Sequence, residues 1–314
     1  MKIIQSFWSK PILNKHQTQI DNKYFNSWVD KHMFYYTYAL SYSLMQKYYP
    51  ETSTLVTDNF GKSIFVDLLE FKYNDIIIAL DDLNEYPKEF WALGKIYTYN
   101  LLCGSPFIHI DFDFFLKGKF SQQLESAPLV AYMDEHDDQR QSNYLIAFKK
   151  YFLNYEVHND IKKYFQDYKS IAYNAGVIGG NKLCVFKDLW HYTHDIINRN
   201  RDIIARDIST GSADFYMTNV ILEQYLFACL AHDSKIPVVT LHNNENYLPL
   251  DSSQLFKNTN LPKYDVIYYP LQHVHILGFH KRNLYNAYLI ASHLKSINAQ
   301  LKQRIDLMIE KNLI

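Results

Sequence analysis

Cysteine is scarce in this sequence. The 314 residues contain three, Cys103, Cys184 and Cys229, widely spaced and in no CxxC pattern. That argues against a disulfide framework and against a cysteine zinc site, and fits a reducing, cytoplasmic setting. An excess of charge of either sign is also missing. Thirty-two basic residues balance thirty-three acidic ones, giving a net charge of −1 and a pI near 6.9. No global field then draws nucleic acid or an anionic bilayer. Long hydrophobic runs are lacking too: NVILEQYLFACLA is short for a membrane span and is interrupted by Glu223 and Gln224, and MKIIQSFWSKPIL has no apolar core or cleavage site of a secretory signal. A soluble protein is expected. With nine glycines, nine prolines, no linker-like tract and no internal repeat, residues 1–314 read as a single domain.

What is abundant is apolar and aromatic. Hydrophobic residues make up 48% of the chain, enough for a large core, and 27 Tyr, 20 Phe and 4 Trp serve either core packing or ring-lined surfaces. MKIIQSFW reads as a strand, 28–49 as a helix stopping before Pro50, STLVTD (53–58) as a buried strand followed by a crossover helix, and NDIIIAL (74–80) as another strand. A helix over 90–103, a strand over 107–112 and APLVAYMDE (127–135) continue the alternation. Strands apolar on both faces, alternating with helices, predict an α/β fold with a mostly parallel central sheet covered by helices on both faces. The second half is less regular. Residues 136–170 read as an insertion or flap containing a helix, 171–180 as a strand ending in Gly179–Gly180, 214–233 as an amphipathic helix, 237–241 and 265–269 as short strands, 273–283 as a loop and 284–312 as a terminal helical segment.

FIHIDFDFFLKG (107–118) poses a problem of charge, because an apolar strand carries Asp111 and Asp113. On a regular strand both carboxylates face the same side, with Phe112 on the other. They repel, and burying them is costly unless a cation or a proton lies between them. A hard divalent ion, Mn²⁺ or Mg²⁺, favours such oxygens and keeps sites for phosphate; a solvated turn is the plain alternative. A second element, HILGFHK (275–281), places His275, Gly278 and Lys281 in the spacing H-x-x-G-x-x-K. Imidazole can ligate a borderline cation, glycine admits a phosphate close to the backbone, and lysine neutralises it. A surface loop that happens to hold several of the thirteen histidines is the other reading.

With both elements in hand, the sequence resembles the GT-A-fold, nucleotide-sugar-dependent glycosyltransferases, and within them a divergent relative of glycosyltransferase family 8, the glycogenin and bacterial galactosyltransferase group. FIHIDFDFFL is similar to that group's Asp-x-Asp strand and HILGFHK to its late His-x-x-Gly-x-x-Lys segment. The resemblance implies a GT-A catalytic domain that moves a hexose from a nucleotide-diphosphate sugar, in the first place a UDP-sugar, to an acceptor hydroxyl. Asp111, Asp113 and His275 would hold Mn²⁺, with Gly278 and Lys281 on the diphosphate. Residues 1–135 would form the nucleotide-binding half, 136–283 the acceptor-side half with its flap, and 284–314 a C-terminal helical segment. YNAGVIGG is similar to an Asn-Ser-Gly-Val strand, with Ala175 in place of Ser, which would turn Asn174 to the sugar; Glu223 and Gln224 stand where the group has Asp-Gln. The Pro-Trp that follows the group's Lys is absent, as Arg282 and Asn283 follow Lys281. The acceptor is left open: saccharide, lipid-linked, peptide or small molecule.

Further donor-site candidates each have a bland alternative. Lys95 could reach the diphosphate or simply face solvent. Phe7, Trp8 and Ser9, after the first strand, could stack on and orient a uracil, or belong to the core. Asp81 and Asp82 could bind ribose hydroxyls or cap a turn. The acidic stretch from Asp134 to Asp138 reads as a solvated loop unless the acceptor is basic. In an inverting reaction Glu223 or Asp214 would serve as general base; in a retaining one the leaving phosphate takes the proton. Two rivals are a phosphatase of the haloacid dehalogenase type, disfavoured because position 115 is Phe, and a catalytically inactive GT-A-like module that binds a nucleotide sugar or a partner.

Overall fold

A computed structural model describes residues 1–14, 16, 19–25, 27–135, 146, 152, 154–166, 172–212, 214–242, 273–276 and 278–314. The architecture is α/β, with mostly parallel strands flanked by helices. Its strands in chain order are β1 (Lys2–Phe7), β2 (Ser53–Thr57), β3 (Asp75–Ile78), β4 (Phe107–Ile110), β5 (Phe114–Leu116), β6 (Leu129–Glu135), β7 (Ala172–Gly180), β8 (Val238–His242) and β9 (His273–His275). The chain divides into two compact units, one of residues 3–81, 110–120 and the described part of 245–314, the other of 1–2, 82–109 and the described part of 121–244.

In the first unit β1, β2 and β3 are parallel, in the order β3-β2-β1. β1 and β2 are largely buried: Ile3, Ile4, Phe7, Leu55 and Val56 are apolar, and the buried amide of Gln5 is hydrogen-bonded to Ser41. β3 departs from the expectation of burial on both faces: Ile76 and Ile78 are exposed, as suits a strand bonded on one side only by β2. The Lys31–Tyr48 helix starts where Asp30 accepts a hydrogen bond from the Met33 amide (2.8 Å) and ends just before Pro50. Met33 to Met45 are buried without a break, because this helix is covered on its outer side by two others, Leu284–Ile297 and Ala299–Glu310. These two replace the single segment expected over 284–312; Asn298 separates them and its side chain caps the second through the Leu301 amide. Gln5 donates to Ser41 Oγ (2.8 Å) and Ser41 in turn donates to the Phe114 carbonyl (2.7 Å), fastening β5 to the long helix.

The second unit has the strand order β4-β7-β6-β8, with β6 antiparallel to β7 and parallel to β8. A Cβ at Gly179 would collide with the Phe107 carbonyl, and Gly180 has φ +133°, so both positions require glycine. The Leu93–Leu101 and Cys184–Arg199 helices pack together in this unit. The long amphipathic segment after Asp214 is interrupted: Phe215–Val220 and Leu226–Asp233 are α-helical, and Ile221–Tyr225 between them is a π-turn. An Arg201–Thr210 helix, closed by Gly211 in the left-handed conformation, adds an element that periodicity did not suggest. The expected strand over 265–269, most of the flap over 136–170, and residues 136–138 of the acidic stretch lie outside the described residues. Among the described residues no helix is long and apolar enough to cross a membrane.

Candidate metal centre and a buried ion pair

The first unit carries an acidic cluster whose backbone differs from the sequence reading. Asp111 to Asp113 form a turn between β4 and β5, and β5 is a separate strand. The alternation of a regular strand therefore does not set these side chains. Phe112 does: it is buried, stacked on Tyr38 (centroids 4.4 Å, 6°) and on Phe65 (5.5 Å, 18°), with Phe7 edge-on. The ring anchors the middle of the turn in the core, and the two carboxylates on either side stay only partly covered.

The late segment is likewise more ordered than the loop expected over 273–283. β9 pairs antiparallel with β5, setting Phe114 opposite His275, and the Ile276 amide donates to the Asp113 carbonyl (3.0 Å). Gly278–Arg282 then forms a short 3₁₀ turn carrying Lys281. Asn283 caps the next helix through the amides of Tyr285 and Asn286, and the Asn286 side chain donates to the His280 carbonyl (3.1 Å), holding that turn in place.

The result is a convergence of two pairs of groups, Asp111 and Asp113 with His275 and Lys281, 162 to 170 residues apart in sequence. His275 Nε2 lies 3.1 Å from Asp113 Oδ1 and 3.9 Å from Asp111 Oδ2, and Lys281 Nζ lies 2.5 Å from Asp113 Oδ2. Ligand atoms of Asp111, Asp113 and His275 all fall within 4.8 Å of one another. Two atoms bonded to one ion at about 2.2 Å can be at most about 4.4 Å apart, so small side-chain adjustments suffice for all three to ligate one hard-to-borderline cation. The donor set fits as well, since two carboxylates and an imidazole are suitable ligands for such a cation. Burial pushes the pKa of Asp113 up, but the charges of Lys281 and His275 and their hydrogen bonds outweigh it and hold the carboxyl well below the usual range. Trp28, which no sequence motif marks out, lies under the Lys281 ammonium (4.9 Å to the ring) and orients it.

In the second unit the structure joins Lys95 and Glu223. Lys95 Nζ is 2.9 Å from Glu223 Oε1 and donates to the Ala175 carbonyl (3.2 Å), and the Tyr99 hydroxyl donates to Glu223 Oε1 (2.7 Å). Glu223 is 1% exposed. It sits on the π-turn, a local irregularity of the kind found at functional helices, and invisible in the apolar spacing. His109 packs edge-on against Tyr99 (5.3 Å, 76°); burial, with the charge of Lys95 adding to it, pushes the imidazole well below its ordinary value and keeps it neutral. Asn174 accepts from the Gly176 amide (3.0 Å) at an irregularity in the β6–β7 register. Gln224, beside Glu223, is half-buried.

The remaining candidates are occupied structurally. Phe7 and Trp8 are buried, Phe7 in edge contact with Phe65 (4.7 Å), and Ser9 donates to Asp58 through both its amide and its hydroxyl (2.6 Å each). Asp81 accepts from the Asn59 amide (3.0 Å) and side chain (2.6 Å), a capping role. Asp82, exposed, accepts from the Tyr97 hydroxyl (2.9 Å). Asp214, the second candidate base, caps the Phe215–Val220 helix through the amides of Tyr216 and Met217.

With this geometry in view, the sequence as a whole can be placed. Residues 1–306 match the model described as a family of unknown function, DUF6734. The chain belongs to this family. No curated protein matches it in sequence. It is similar to two solved structures, an active-site mutant of LgtC (13% identity, TM-score 0.46, 94% of this chain and 96% of that one covered) and the galactosyltransferase LgtC in complex with donor and acceptor sugar analogs (12%, 0.45, 95% and 96%).

Proposed function

We propose that this member of the family is a divalent-metal-dependent glycosyltransferase of GT-A type, moving a sugar from a nucleotide-diphosphate sugar, a UDP-sugar in the first instance, to an acceptor hydroxyl. The observation that carries the reading is the meeting of Asp111, Asp113 and His275 in ligating range, with Lys281 on the same carboxylate. A bound Mn²⁺ or Mg²⁺ supplies electrostatic stabilisation of the charge that develops on the departing diphosphate. Asp111 and Asp113 provide hard oxygen ligands and His275 a nitrogen that favours Mn²⁺ over Mg²⁺. Lys281, held by Trp28 and by Asp113, exchanges part of its carboxylate contact for a phosphate oxygen. Gly278 opens the 3₁₀ turn that carries Lys281, where a backbone without a side chain lets the diphosphate approach.

The reaction breaks the bond between the anomeric carbon and the phosphate oxygen and forms one to the acceptor oxygen, whose proton must go to a base. Glu223 is poorly suited to that task, because Lys95 and Tyr99 already stabilise its charged form. Transfer of the proton to the leaving phosphate requires no protein base, so the proposed outcome is retention. In this reading Glu223 has no part in the proton transfer. The test is Mn²⁺-dependent hydrolysis of a UDP-sugar panel, followed in parallel with release of phosphate from simple phosphomonoesters. Turnover of a UDP-sugar that requires Mn²⁺ supports the reading; phosphomonoester release alone, or nucleotide binding with no turnover, overturns it.

A further inference from the structure

Among the described aromatic side chains of the second unit, two stand exposed. Trp91 is 39% and Tyr216 66% exposed, and their rings lie side by side with centroids 6.3 Å apart and planes tilted by 36°. They are held from below. Phe90 and Phe215, each the preceding neighbour of an exposed ring, meet edge to face at 5.4 Å. Buried Asn219 ties the two backbones together: its Oδ1 accepts from the Ala92 amide (2.7 Å), while its Nδ2 donates to the Glu89 carbonyl (2.8 Å) and to the Phe215 carbonyl. The Asp214 carboxylate, capping the helix that starts beside it, fixes Tyr216 through the amide of that residue (3.1 Å). A buried amide making three backbone bonds under two exposed rings describes a built surface rather than two stray aromatics.

We infer that Trp91 and Tyr216 form a stacking platform for the pyranose rings of a saccharide acceptor. Two rings are far too small a patch for a stable protein interface, which needs roughly 800 Å² on each partner. They do match the small apolar face of a sugar, whose hydroxyls stay directed outward to water. Trp91 lies just before the helix that carries Lys95, and Tyr216 lies seven residues before Glu223. As an assignment of the acceptor this rests on the transferase reading; as a statement of what the two rings bind it stands without it.

The experiment therefore uses the full chain without metal or nucleotide. Maltotriose, cellotriose, chitotriose and lactose are titrated against it, read by saturation-transfer NMR and by tryptophan emission. Trp91 is the exposed one of the four tryptophans, so its emission reports contact. At least one saccharide should bind, with affinity falling about tenfold in Tyr216→Ala and in Trp91→Ala and staying within about threefold in Trp91→Phe. Tyr288→Ala, which removes an exposed aromatic in the other unit, should bind as the unaltered chain does. Failure of every saccharide to bind, or binding that Tyr216→Ala leaves intact in a folded variant, overturns the platform. So does a change of oligomeric state in Trp91→Ala, which would assign the rings to a protein contact. A chain stabilised by Mn²⁺ and UDP that binds no saccharide loses this inference alone; one that binds saccharides through these rings yet ignores Mn²⁺ and UDP supports the platform and loses the transferase reading.

Discussion

Each unit of the molecule buries a lysine against a carboxylate, and the two pairs do opposite things. Around Glu223 one carboxylate, one ammonium, a tyrosine hydroxyl and a carbonyl meet, with Glu223 at 1% exposure. Around Asp113 the groups are of another kind: Asp111 adds a second carboxylate and His275 an imidazole within ligand range, and Lys281 pairs with Asp113. A buried ion pair maintains a fold; two partly covered carboxylates and an imidazole in ligating range suit a cation. The contrast separates a structural ion pair from a candidate metal site without reference to any bound ligand.

The sharpest break in the comparison comes from truncating the buried ion pair. Glu223→Ala leaves Lys95 largely buried without its counter-charge and should cost about 3–5 kcal/mol of stability in denaturant unfolding, whereas replacing both residues by methionine should cost much less. If the single substitution is as mild as the double, the pair is solvated and the comparison fails. On the other side, Asp113→Asn should leave the metal-free protein folded and lower Mn²⁺-dependent UDP-sugar turnover by about 10²-fold, or about 2.7 kcal/mol of barrier. A variant that retains turnover would place the metal elsewhere. Lys281→Ala comes next: binding of UDP in the presence of Mn²⁺, measured calorimetrically, should weaken about tenfold, with partial recovery in Lys281→Arg.

A smaller effect examines a buried group with no charged partner at all. Burial, with a contribution from Tyr42, holds the Tyr73 phenol well above its ordinary value, and its hydroxyl donates to Gln5 (2.8 Å). The folded state thus keeps a proton that the unfolded chain releases above pH 10. The stabilisation is complete below that pH and lost as it rises, so between pH 10 and pH 11 the unaltered protein should lose about 1 kcal/mol more than Tyr73→Phe does. Parallel alkaline profiles for the two would remove this residue from the account.

Much of this was legible in the residues, and the misreadings have physical causes. The strand FIHI and the helix stopping before Pro50 follow from apolar run and punctuation alone. The Asp111–Asp113 turn was taken for strand because Phe112 supplies the alternation of one; what sets it is the stack on Tyr38, a contact 74 residues away that local pattern does not encode. β9, three residues long and rich in histidine, has no strand signature of its own and exists by pairing with β5. The chemistry of Asp111, Asp113, His275 and Lys281 was readable from residue type and spacing, since few combinations of oxygen, nitrogen and ammonium groups serve a metal and a phosphate together. Trp28 and Tyr99, which orient Lys281 and Glu223, were not, because an aromatic ring looks the same in sequence whether it fills a core or supports a charge.

The central claim is that Asp111, Asp113 and His275 take one divalent cation together. Electron paramagnetic resonance of Mn²⁺ titrated into the protein with UDP present tests it most directly, comparing the unaltered chain with Asp111→Asn, Asp113→Asn and His275→Ala. One tightly held Mn²⁺ per chain, weakened in all three variants, is the predicted result; a spectrum of free Mn²⁺ throughout, or binding that survives each substitution, would contradict it.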